Sequence, residues 1–208
     1  QVKALPQDTD AVCNTIPQSA LYATAGIDFN WAFLLRAPAE LVRLAQYPDI
    51  WLRLEELGRV RYPLKTGINR FFYLSRAQAA TWGIEPEYLF PVIRSARKVK
   101  TYCVDADTCD ELLFSCPDSL EELARKGNTG ALNYIRWGET QTSQPRQKRS
   151  LSIPWPQVPS VQSNQPWYFV KPLAPAHILC SRFIDQRFFF PLCQGNLMED
   201  QTFYGLTL

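Results

Sequence analysis

Histidine occurs once in the sequence, at His177, and that scarcity excludes a wide range of chemistry. A Ser-His-Asp or Cys-His constellation would have to use it, and no Gly-x-Ser-x-Gly elbow exists to present a serine. His177 itself lies in an apolar strand pattern, AHILC, and reads as a structural histidine. The six cysteines, Cys13, Cys103, Cys109, Cys116, Cys180 and Cys193, include no Cys-x-x-Cys pair, so zinc spacing is absent. They read as mostly buried thiols in a reducing, cytoplasmic compartment. There is no Gly-rich phosphate-cradling loop. No uninterrupted apolar run reaches the roughly 18 residues of a membrane span. The opening QVKALPQDTD lacks both a Met and the charged-then-apolar order of a signal peptide, which fits a piece of a longer chain.

What remains is a chain able to build a core. At 208 residues, 46% of them hydrophobic, it has the length and apolar content for one sizeable domain, and disorder throughout is excluded. Sixteen prolines against nine glycines imply many irregular connections, as in an α+β or β-rich domain, and argue against a helical bundle.

Local patterns place the elements. APAELVRLAQ (37–46) and IWLRLEEL (about 49–57) read as N-terminal helices, the second opened by Asp49 and closed by Gly58. RVRY and FFYL (71–74) read as strands on either side of a polar turn. Ser75 caps a helix through Trp82 that Gly83 stops. KVKTYCV and ELLFSC, separated by the acidic DADTCD, predict an antiparallel hairpin. SLEELARKG and TGALNYIRWGE predict two more helices. Residues 139–166 are rich in Gln, Ser and Pro, and so long a connection without periodicity predicts an ordered functional loop lying across the surface. PWYFV, HILCSRF, QRFFFPLC and TFYGLTL complete the chain as four strands.

The turn between RVRY and FFYL carries unusual chemistry. Thr66-Gly67 gives a tight reversal, with Gly67 free to take a positive φ. Lys65 and Arg70 flank it, beside Asn69. Arginine pairs with guanine O6/N7 and asparagine with adenine N6/N7, while lysine and a threonine hydroxyl bind phosphate oxygens. A plain turn that needs Gly and polar neighbours also accounts for these residues. Net charge is only +2, but cations are segregated: RSARKVK (94–100) and RQKR (146–149) hold no acid, whereas DADTCDE and SLEEL gather them. Segregation of this kind suits a polyanion, and equally an ordinary solvated surface. Trp155 lies between two prolines as a loop anchor or a stacking platform; Trp137 reads as core, with Arg136 capping terminal carbonyls. The carboxylates Glu55, Glu56, Glu121 and Glu122 fit first-turn or i,i+4 positions. No acidic pair followed by a Glu-x-Lys element marks a metal-dependent nuclease.

The order of these pieces resembles the C-terminal target-recognition (specificity) domain of TaqI-type adenine-N6 DNA methyltransferases and related fused type IIG restriction-modification enzymes. The matching pieces are WAFLL with its helices (31–57) and LGRVRYPLKTGINRFFYL, similar to the family's Gly-x-V-x-x-G-I-x-T-G-x-N-x-x-F-x-L. EYLFPVIRSARKVKTY, ALNYIRWGE, PSVQSNQPWY and DQTFYGL follow in order. Two departures stand out: Pro63 replaces the first glycine of the turn motif, and Asn164-Gln165 stands where an Arg often precedes Pro-Trp-Tyr.

The resemblance implies a single non-catalytic module with N-terminal helices and an irregular, β-rich remainder. It would bind double-stranded DNA beside an N-terminal methyltransferase domain of the same parent chain. The cofactor S-adenosylmethionine and the flipped adenine would belong to that domain. Lys65, Thr66, Asn69 and Arg70 are the expected contacts on the turn. Arg94, Arg97 and Lys98, with Arg146, Lys148 and Arg149 of the long loop, are the expected phosphate contacts. A free-standing metal-dependent nuclease and a protein-interaction scaffold of the same fold are the alternatives.

Overall fold

The computed structural model describes residues 40, 47, 52, 54–143, 152–183 and 189–208. The chain divides into two compact units, Gln1–Leu57 and Gly58–Leu208. In the first, Glu40 is helical and α1 covers Leu54–Leu57, while Leu52, within the expected helix at 49–57, is not helical; the other residues of the expected helices at 37–46 and 49–57 lie outside the described set.

The second unit holds two sheets. Its elements in chain order are β1 (Arg59–Arg61), α2 (Asn69–Phe72), β2 (Tyr73–Ser75), α3 (Arg76–Trp82), β3 (Leu89–Ile93), β4 (Cys103–Asp105) and β5 (Glu111–Phe114). They continue with α4 (Leu120–Lys126), α5 (Thr129–Glu139), α6 (Pro159–Gln162), β6 (Ile178–Ser181), β7 (Leu192–Gln194), β8 (Met198–Glu199) and β9 (Phe203–Thr207). Strand order is β1-β9-β6-β7-β4 in the five-stranded sheet and β2-β5-β3-β8 in the four-stranded one. The mixture of helices with irregular mixed sheets is α+β.

Helix boundaries follow from local chemistry. Ser75 and Ser119 each accept from a backbone N–H three residues on, and Gln78 and Glu122 reach back to the capping residue's own N–H. Both helices end at a left-handed glycine, Gly83 and Gly127. Glu85 then accepts from the Gly130 and Ala131 amides, satisfying donors in the first turn of α5.

Three strand expectations fail. KVKTYCV and ELLFSC do not form a hairpin: β4 pairs in parallel with β7, while β5 pairs with β2 and β3. The acidic segment between them instead satisfies its own backbone. Asp105 accepts from the Asp107 amide, and Arg76 donates to the Cys109, Ala106 and Asp107 carbonyls, so the chain passes from one sheet to the other. In FFYL the first two residues belong to the helical turn α2 and only Tyr73–Ser75 extends. PWYFV forms no strand; Tyr168 is held by its hydroxyl, which donates to the Asp118 carbonyl at 2.9 Å, and Val170 by its carbonyl, which accepts from Ser115. HILCSRF and TFYGLTL become β6 and β9, and the short β8 had no sequence signal.

Each sheet lies over its own core. Phe71, Phe72, Phe114, Tyr134, Ile135 and Trp155 are buried in the first. The Phe71 ring stacks on Tyr134 at 5.0 Å and lies 4.6 Å from Trp167, with the edges of Phe72, Phe114 and Trp155 around it. Trp155 is thus a buried anchor, and Trp137 packs on the same cluster. Ile93, Val104, Leu179, Leu197 and Phe203 belong to the second core, under the five-stranded sheet. Within the long loop, Thr142 bridges Pro154 in antiparallel fashion. The Ser143 amide donates to Ile153 O at 2.8 Å and Trp155 N to Gln141 O at 3.0 Å, so the two ends of that excursion meet.

Candidate functional site

The KTGIN turn is not a hairpin. β1 pairs with β9 and β2 with β5, so residues 62–68 carry the chain from one sheet to the other. Along this crossover burial alternates. Leu64, Thr66 and Ile68 are buried, whereas Lys65, Gly67 and Asn69 are exposed, with Arg70 exposed beyond them. Every second residue anchors and the intervening ones face outward. Gly67 has φ 75°, and a Cβ there would come within 2.3 Å of the Ser160 hydroxyl oxygen, so both conformation and space demand glycine. The fully buried Thr66 hydroxyl donates to Asn69 Oδ1 at 2.8 Å, which ties the anchor to the exposed amide. Lys65 and Arg70 make no ion pair among the described residues.

The 94–98 segment follows β3 and is built differently. Ser95 caps a 3-10 turn over Ala96–Lys98 by accepting from the Arg97 amide. Arg97 and Lys98 are exposed, but Lys98 Nζ donates to Glu111 Oε2 at 3.0 Å. Arg94 is more deeply engaged. It donates to Glu111 Oε1 at 2.9 Å and Asp200 Oδ2 at 3.3 Å, and its guanidinium lies 4.1 Å from the centroid of the Tyr73 ring. Burial raises the Glu111 carboxyl, but Lys98 and Arg94 outweigh it and hold the group below its ordinary value. Arg146, Lys148 and Arg149 lie outside the described residues.

A polar seam joins the two segments. Leu64 forms a parallel bridge with Asp200, and the Asp200 amide donates to Ile93 O at 3.1 Å. Thr202 donates its hydroxyl to Arg94 O at 3.0 Å. The buried Tyr73 hydroxyl has no hydrogen-bond partner among the described residues; burial and the Asp200 charge both push its titration upward. Next to Asp200, the fully buried Glu199 takes a two-pronged bond from Arg61 at 2.7 and 2.9 Å. A Cβ on Gly205 would lie 2.5 Å from Glu199 Oε1, so the missing side chain makes room for that pair.

Sequence reasoning missed Tyr73, Glu111, Glu199 and Asp200. The available signal was a Glu-Asp pair one residue ahead of the apolar TFYGL strand, where acids are out of place unless they have buried partners. The thiols offer no reactive group in this region. Among the described cysteines all are free; burial pushes Cys116 and Cys193 up to about 12. His177 is exposed, and its Nδ1 accepts from the Leu208 amide at 2.9 Å. Among the described residues no group of three or more His, Cys, Asp or Glu is arranged for a metal, and no helix is long and apolar enough to cross a membrane.

The arrangement is thus a set of exposed cations and amides on buried anchors, with Glu199 and Asp200 buried beside them. The family model described as the C-terminal domain of the type II methyltransferase M.Eco57I matches residues 28–181, which take in the crossover turn, the basic segment and the ends of the long loop. The match covers well over half of the chain, and the chain therefore belongs to the M.Eco57I C-terminal domain family of type II methyltransferases.

Proposed function

We propose that the chain is a DNA target-recognition domain that gives sequence specificity to an adenine-N6 methyltransferase, or to a fused type IIG restriction-modification enzyme, and does no chemistry by itself. The observation that carries this reading is the alternation at 64–69, with Arg70 exposed directly after it. A crossover buried at every second residue presents Lys65, Asn69 and Arg70 outward, with no carboxylate paired to either cation among the described residues. Family membership supplies the methyltransferase context.

Roles follow from the side-chain chemistry. Arg70 offers a two-pronged donor for guanine O6 and N7. Asn69, with Oδ1 already accepting from Thr66, turns its amide N–H donors outward, toward an acceptor such as adenine N7. Lys65, Arg97 and Lys98 serve phosphates, as do Arg146, Lys148 and Arg149 of the long loop. Arg94 contributes by holding the segment, since Glu111 and Asp200 offset its charge. Double-stranded DNA and a methyltransferase domain of the same parent chain, in the cytoplasm, are the partners. That domain would bind S-adenosylmethionine, which supplies the methyl group.

The test is duplex binding by the 208-residue chain across a salt series, combined with selection from randomised duplexes. The expected result is affinity that falls steeply with salt, by a slope near 0.9 per phosphate engaged, with one enriched sequence. Salt-independent or absent binding would leave the scaffold reading in its place.

A further inference from the structure

The seam beneath the two segments does work that neither segment can do alone. Asp200 is buried, touches both segments and is uninvolved in any surface the proposed function uses. Through its backbone it bridges Leu64 at the entry to the turn and bonds to Ile93 at the entry to the basic segment. Through its carboxylate it holds Arg94, which in turn shares Glu111 with Lys98. The Tyr73 ring, under Arg94, extends the seam to the residue that closes α2 and so to the far end of the turn.

Two groups that read bases and phosphates of one duplex must keep a fixed separation, because discrimination depends on donors placed to within a fraction of an ångström of an edge. The 62–70 crossover and the 94–98 turn have no strand pairing with one another. Their spacing is therefore set by what lies between them. We infer that Asp200 is a positioning residue of the recognition surface: it touches no DNA, but fixes the 65–70 turn against the 94–98 segment and so sets sequence discrimination.

This inference rests on the recognition reading, and its test separates the two. Asp200→Asn keeps the side chain's size and removes its charge; Asp200→Glu keeps the charge and displaces it by a methylene. Hydrogen exchange on the free 208-residue protein reads the coupling without DNA. The reporters are the Phe71 and Phe72 amides, bonded to Ile68 O, and the Lys98 amide, bonded to Ser95 O. In both variants these are expected to exchange faster by on the order of ten-fold, while the amides of β5 do not change. Selection from randomised duplexes is expected to show discrimination falling by on the order of ten-fold, with the salt slope unaltered.

Exchange that rises uniformly, β5 included, would make Asp200 a general stabiliser and overturn the inference. So would reporters that do not respond in either variant, or affinity lost equally on every sequence. If the unmodified protein shows no sequence preference at all, the recognition reading falls by that result, and the exchange arm still decides whether Asp200 couples the segments.

Discussion

Lys65 and Arg70 stand on a turn whose buried members carry no charge, whereas Arg94 and Lys98 lean on Glu111 and Asp200. By sequence the two segments look alike: short, polar and basic. In the fold they divide the labour. The turn is anchored by side-chain alternation and by Gly67, which leaves its cations without an ion pair among the described residues. The 94–98 segment uses part of its charge to attach itself to the four-stranded sheet through Glu111 of β5. A cation's contribution to a binding surface thus depends on how much of its field is already neutralised locally, which a count of Lys and Arg does not record.

Four measurements break or sharpen this contrast. The largest effect is expected next to the seam. Glu199→Ala leaves Arg61 without its buried partner and should cost about 3–5 kcal/mol in chemical denaturation, enough to blur both segments together. Arg94→Ala removes bonds to two carboxylates and a ring contact, and should cost about 1.5–3 kcal/mol by the same assay. An Arg94 variant of full stability would show that its charge is as free as that of Arg70.

Arg70→Ala should do the opposite. Stability stays within about 0.5 kcal/mol, while preference at one base pair, measured by competition between duplexes, weakens by about 1–3 kcal/mol. Lys98→Ala is expected to give the smallest change, about 0.2–1 kcal/mol of stability, because its side chain is nearly half exposed. That difference also has a pH signature. The folded Glu111 titrates below its ordinary 4.5, so its pairing stabilises the fold fully above that value and is lost as pH falls through the lowered one. Wild type and Lys98→Ala should therefore converge in acid, and a gap that persists there would assign the effect to something other than Glu111.

The helices α3, α4 and α5 were legible in the sequence because their signals are local, whereas α2 was read as strand and α6 as loop. Ser75 with Gln78 and Ser119 with Glu122 write the start of α3 and α4 within four residues, and Gly83 and Gly127 write the ends. Strand partners were not legible, because β1 finds β9 and β4 finds β7 across most of the second unit, and nothing near either strand encodes the choice. The false hairpin at 98–116 shows the same limit: two apolar runs around a polar stretch fit a hairpin until Arg76 is seen holding that stretch as a passage between sheets. Of the candidate site, the exposed residues of the turn were readable from residue type. The seam was not, since its members come from β2, the end of β3, β5 and the turn after β8, and only folding makes them neighbours.

The meeting of residues 141–143 with 153–155 has a consequence for how such a protein can diversify. A segment whose two ends are already clasped, with Trp155 of the clasp set into the aromatic core, can be lengthened or shortened at little expense to the fold. Doubling the enclosed length adds only about 0.6 kcal/mol of closure entropy. That tolerance belongs to the clasped ends and to the aromatic core that holds them, whatever length of chain they enclose.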